Sequence, residues 1–126
     1  MYSYSMSNIL TIYQENLPAG HVLVLASGGQ PAAEAELARA LRVACLSGRA
    51  AVLIDCRLLD SLTLAAARRL WAFHLRQWRR GGQLVLCHVS DRLRQMLHRA
   101  AACVGPGLCI AASLDEAADY ADGCAG

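Results

Sequence analysis

The chain has 126 residues, of which 56% are hydrophobic and only 17% charged, a balance that fits a single folded domain and excludes a disordered chain. At this length a core can form without help from metals or disulfides. The net charge is +2 and every basic residue is an arginine, which excludes the strongly basic footprint of a nucleic-acid binder.

The first apolar stretch, NILTIY at 8–13, predicts a short strand. HVLVLAS at 21–27 predicts a stronger one, rich in β-branched and apolar residues, and Gly28-Gly29 breaks it. PAAEAELARALRVACLSG at 31–48 has helical spacing of Leu37, Leu41 and Cys45, with Pro31 suited to the first turn and Gly48 to the position past the end. AAVLIDC at 50–56 is a continuous apolar run, as expected of a central strand covered on both faces. A helix over 63–80 ends at Gly81-Gly82 and is followed by the strand QLVLCHV, 83–89. Ser90 then caps a helix over 90–102, and GLCIAAS at 107–113 gives a last strand after Gly105-Pro106. Ser113 with Glu116 three residues on forms a capping box for a final helix ending at 121. The order is ββαβαβαβα: an α/β domain with a mostly parallel mixed sheet of about five strands and four helices. Residues 1–7 and 122–126 read as loose ends.

Charge is unevenly placed. Arg68, Arg69, Arg76, Arg79 and Arg80 fall in 63–80 without an acid, whereas Asp115, Glu116, Asp119 and Asp122 fall in 113–126 without a base. The two segments can attract each other, or the arginines can serve an acidic partner. On a helical wheel Leu64, Ala67, Leu70, Trp71, His74, Leu75 and Trp78 gather on one side. Arg69, Arg76 and Arg80 stand opposite, with Phe73 beside them. An aromatic among arginines on an outer face has the composition of an interface hot spot.

Five pieces stand together in order: Leu53-Ile54-Asp55, Asp60-Ser61-Leu62-Thr63-Leu64, Gly81-Gly82-Gln83-Leu84-Val85-Leu86, Val89-Ser90 and Ser113-Leu114-Asp115-Glu116-Ala117. In this order and spacing the chain resembles the STAS domain, the family of bacterial anti-sigma factor antagonists, over roughly 8–121. The resemblance implies a regulatory protein without enzymatic activity. It implies docking of a partner through the turn Asp60, Ser61, Leu62, Thr63 and the outer helix face Arg69, Phe73, Arg76, Arg80. The implied partner is an anti-sigma factor of serine-kinase-like fold or, alternatively, the ATPase side of a lipid-transport ABC system. Homodimerisation is left open. In phosphorylated relatives a kinase modifies the second hydroxyl residue of the turn, but here that position is Leu62, which has no oxygen to modify. Ser61 and Thr63 are the displaced candidate phosphosites, and the simpler expectation is that Ser61 caps the helix.

Other chemistry is thin. The six cysteines show no C-x-x-C pair and no zinc spacing with histidine, so reduced, largely buried thiols are expected and no metal or cofactor is. Cys87 and His88 are adjacent on a strand, which would point them to opposite faces and prevent a dyad. Asp55 and Asp60 near the carboxyl end of the central strand, with a neighbouring cysteine, give an enzyme as the least supported reading. MYSYSMSNIL lacks a basic start and a long apolar run, and no stretch of about 18 apolar residues follows, so a cytoplasmic protein without membrane insertion is expected.

Overall fold

The computed structural model describes residues 8–28, 33–101 and 107–125. Expectations placed on residues 1–7, Gly29, Pro31, Cys103, Gly105-Pro106 and Gly126 lie outside the described residues. The elements follow in the expected order: β1 (Asn8–Leu17), β2 (Gly20–Gly28), α1 (Ala33–Leu46), β3 (Ala51–Leu58), α2 (Leu64–Arg79), β4 (Gln83–Cys87), α3 (Asp91–Ala100), β5 (Cys109–Ala111) and α4 (Leu114–Ala125).

The described strands form one sheet in the order β1-β2-β3-β4-β5, with β1 antiparallel to β2 and every later pair parallel. A chain that steps steadily across a sheet by right-handed crossovers leaves all its crossover helices on one face. Accordingly α1, α2 and α3 cover one core, floored by Leu23, Leu25, Val52, Ile54, Leu84 and Leu86. α4 follows the last strand and packs on the opposite face, over Val22, Leu53, Val85 and Cys87. Alternate residues of β3 therefore feed two different cores, which is why the strand reads as an unbroken apolar run. The arginine-rich and acidic segments consequently sit on opposite faces of the sheet, and no ion pair joins them among the described residues.

Several boundaries differ from expectation, β4 stopping at Cys87 rather than at 89 and β5 spanning only Cys109–Ala111, and two differ by four residues. β1 runs on through Gln14, Glu15 and Asn16 to Leu17, because the hairpin stays zipped up to the turn at Pro18-Ala19 even where the strand becomes polar. α4 continues through Ala125, so 122–125 is helical rather than a loose end. Ser90 caps α3 as expected, its Oγ accepting from the Leu93 N–H at 3.1 Å. At α4 the Glu116 N–H donates to Ser113 Oγ at 3.2 Å, and Glu116 Oε1 accepts from the Ala112 N–H at 3.0 Å, one residue before the usual capping-box partner.

Gly81 ends α2 at φ 80, a left-handed position that favours glycine, and Gly82 passes so close under the Ala50 carbonyl that a Cβ would collide with it. His21 is buried between the hairpin and α1. Its Nδ1–H donates to Asn16 Oδ1 at 2.7 Å, and its Nε2 accepts from Gln14 Nε2 at 2.8 Å, while Gln14 also donates to the Ala40 carbonyl. Burial, and then the Arg49 charge, hold this imidazole below its ordinary pKa, in keeping with that neutral tautomer. No described helix is long and apolar enough to cross a membrane.

Candidate functional site

β3 delivers the chain to the turn that precedes α2. Leu59 and Leu62 are both buried, at 3% and 2% exposure, and pin the turn beneath the helix at two points. Between these anchors Asp60 is exposed and Ser61 half-exposed. The Asp60 N–H donates to Ser27 Oγ at 2.8 Å, which ties the turn to the end of β2. Leu62, expected in the partner surface, is instead a core residue, and no partner can reach it without unfolding the turn.

The cap expectation also needs correction. Thr63, not Ser61, is the N-cap of α2: it is extended at φ -74 and ψ 161, and its Oγ1 accepts from the Ala66 N–H at 3.0 Å. A cap must stand directly before the first helical residue to reach the N–H groups of that first turn. The inward anchor at Leu62 sets the helix start at Leu64, leaving Ser61 two residues too early. Thr63→Ala should therefore cost about 1 kcal/mol and Ser61→Ala close to nothing, read as the shift of the urea midpoint.

The buried face of α2 comprises Ala66, Ala67, Leu70, Phe73, His74 and Gln77. Phe73 is 6% exposed and belongs to the core, contrary to its expected place on the outer face. Leu64 and Trp78, expected inside, are 52% and 55% exposed. The cause lies in topology. α2 is the middle of three helices on its face, so neighbours cover both flanks: α1 meets the Phe73 side, and α3 meets the Trp71 side, where the indole Nε1–H donates to the Leu97 carbonyl at 2.8 Å. The buried stripe is thus rotated toward α1 relative to the one drawn from apolar residues alone. His74 is a core residue, its ring edge-on to Trp71 at 5.8 Å.

Arg69, Arg76 and Arg80 are exposed, as expected. Arg69 and Arg76 join Arg42 of α1 at the rim of a cleft of about 590 Å³ between α1 and α2, with Leu41 and Phe73 among its apolar lining. Arg80 Nη1 lies 3.0 Å from Cys45 Sγ on the same cleft wall. The arrangement offers several cations around an apolar floor.

A second grouping lies at the carboxyl ends of β3 and β4. Ligand-type atoms of Asp55, Cys87 and His88 all lie within 4.8 Å of one another. Strand alternation, which separates Cys87 from His88, holds only while the strand lasts; β4 ends at Cys87, and His88 turns to φ 55, the one left-handed non-glycine among the described residues. Asp55 Oδ1 accepts from the Arg57 N–H at 2.9 Å, and the Arg57 guanidinium stands 3.6 Å from Asp55 Oδ2 and 3.5 Å from His88 Nε2. Burial, followed by the Asp55 charge, pushes the Cys87 thiol up to about 12, with Arg57 opposing, and burial raises the Cys56 thiol further. Both are buried thiols in keeping with expectation, whereas Cys45 and Cys109 are half-buried. Asp60 is exposed and is not part of this grouping. The one sequence signal for the cluster is the short passage from strand to capped helix, Cys87 to Ser90, which leaves too few residues for a gentle bend.

No family model matches the sequence, and no curated protein matches it either. Among solved structures the chain is similar to a serine-to-glutamate variant of Moorella thermoacetica RsbS, with a TM-score of 0.74 at 14% identity over 90% of this chain and 96% of that one. It is also similar to a chain from the molecular architecture of the stressosome, a signal integration and transduction hub, with a TM-score of 0.66 at 14% identity over 90% and 98%. The NMR structure of the protein TM1081 matches with a TM-score of 0.60 at 11% identity over 97% and 93%. At such identities the likeness is one of fold.

Proposed function

We propose that this chain, whose fold is that of STAS domains, is a non-enzymatic regulatory module that works by binding another protein of the anti-sigma factor type, with a serine-kinase-like fold. The observation that carries this reading is the β3–α2 turn, in which two buried leucines hold Asp60 and Ser61 out to solvent. Beside it run Arg69, Arg76 and Arg80. Leu62 and Phe73 leave the contact surface because the monomer buries them; Asp60, Ser61, Thr63 and the three arginines remain in it. An acidic partner surface carrying one apolar side chain would complement the arginine rim and the cleft beside it.

Phosphate, where it is added, goes to Ser61. The Thr63 hydroxyl already holds the first turn of α2, whereas no hydrogen bond involves the Ser61 hydroxyl among the described residues. A phosphoserine there would add about two negative charges beside Asp60 and repel an acidic partner.

The test is titration of the chain with cognate anti-sigma candidates. Arg69→Glu combined with Arg76→Glu should weaken binding at least ~30-fold, mostly by slower association at low salt, while leaving the unfolding midpoint unchanged. Absence of binding to every candidate, or binding indifferent to the double reversal, would count against the proposal. A buried residue at the acceptor position also suits a STAS subunit of a lipid-transport ABC system, which needs no phosphosite. Permease and ATPase genes beside this one would favour that second reading.

A further inference from the structure

We propose that Asp55, Cys87 and His88 form a binding site for one divalent transition-metal ion, with zinc the best match, at the carboxyl ends of β3 and β4. One thiolate, one imidazole and one carboxylate is a donor set suited to tetrahedral zinc, with a fourth position left for water. The three ligand atoms already lie within 4.8 Å of one another, so closing onto a single ion needs only small side-chain movements.

Three features of the surroundings point to a cation. Asp55 and Cys87 are buried, and the carboxylate is oriented by the Arg57 backbone N–H on Oδ1, leaving Oδ2, among the described residues, with only the long contact to the Arg57 guanidinium at 3.6 Å. This is the kind of outer support that fixes a metal ligand. The Arg57 guanidinium already occupies the position, between Asp55 Oδ2 and His88 Nε2. Because a guanidinium can only donate, its contact with His88 uses the Nε2 lone pair, the same pair a metal would take. Finally, His88 holds a left-handed backbone at φ 55, which turns its ring toward the Asp55 and Cys87 side. The Arg57 side chain is 64% exposed and its ion pair is long, so its departure into solvent costs little.

Binding is a ligand exchange without redox change. The Cys87 Sγ–H bond breaks and its proton passes to solvent; Sγ, His88 Nε2 and Asp55 Oδ2 each donate a lone pair to the ion, and Arg57 swings away. This site stands apart from the arginine face of α2, so its failure would leave the docking proposal untouched.

The test uses the full chain, reduced and stripped of metal, titrated with Co²⁺ and then Zn²⁺. A thiolate-to-cobalt charge-transfer band should saturate at one equivalent and disappear as zinc displaces cobalt. Cys87→Ala should abolish the band. His88→Gly, which accepts the left-handed backbone without strain, should weaken binding at least ~10-fold while the protein stays folded. Arg57→Ala should tighten binding by removing the resident competitor, a response that a purely structural Arg57 would not give. Cys45→Ser should change nothing. Absence of the band, its survival in Cys87→Ala, its dependence on Cys45, or weaker binding in Arg57→Ala would each overturn the proposal.

Discussion

Replacing Leu62 by serine is expected to unfold the turn rather than arm it for phosphorylation. The substitution places a hydroxyl where phosphorylated relatives of the resembled family carry one, so on sequence alone it looks like restoring a switch. Yet Leu62 is 2% exposed and packed in the core beneath α1, α2 and α3. Removing its isobutyl group leaves a cavity, and large-to-small changes of this kind cost roughly 2–5 kcal/mol. The serine hydroxyl would also be buried away from water, which adds about 1 kcal/mol or more unless a partner turns to meet it. A total of about 4 kcal/mol is a large part of the 5–15 kcal/mol that holds a typical domain together. The urea midpoint of Leu62→Ser should fall accordingly with an unchanged slope, and kinase treatment should modify it only under conditions that open the turn. A near-native midpoint would mean that Leu62 does not anchor the turn. Ser61→Ala, one residue away and half-exposed, should leave the midpoint in place.

The same two residues show what a sequence can and cannot tell about this fold. Unbroken apolar runs such as AVLID and QLVLC identify parallel strands because both of their faces must be buried. Ser90 and Ser113 identify helix starts because a hydroxyl before a helical run has one obvious use. At the β3–α2 turn there are two hydroxyls and three leucines within a few residues, and their roles depend on which leucine turns inward. That is a tertiary fact: Leu62 goes into the core, Leu64 does not, and the cap falls to Thr63 between them. The Asp55, Cys87 and His88 grouping was illegible for a related reason. Alternation assigns faces along a strand but does not say where the strand stops, and here it stops between the two residues in question.

Phe73→Ala is expected to cost about 3 kcal/mol of stability, and its consequences separate a core role from an interface role. A buried phenylalanine truncated to alanine typically loses 3–5 kcal/mol. The lower end applies here, because Phe73 borders the cleft between α1 and α2 and water can enter the space it leaves. The wheel places this ring outside because it counts Leu64, Trp71, Leu75 and Trp78 toward the inner face. A helix packed on a sheet with one neighbour would bury such a stripe. With α1 on the other side as well, the arc from Phe73 through Leu70 to Ala67 becomes the inner one, and Trp78 is left at 55% exposure. Arg69→Glu with Arg76→Glu changes the rim and spares the floor, so it should alter association and not the melting temperature. Phe73→Ala should do the reverse at first: the melting temperature falls, and association weakens only as far as the unfolded fraction or a deformed cleft requires. Phe73→Leu, which keeps most of the apolar volume, should recover both. Should Phe73→Ala melt with the native protein yet fail to associate, the ring would be a contact residue after all, and the packing of α2 against α1 would have to open in solution.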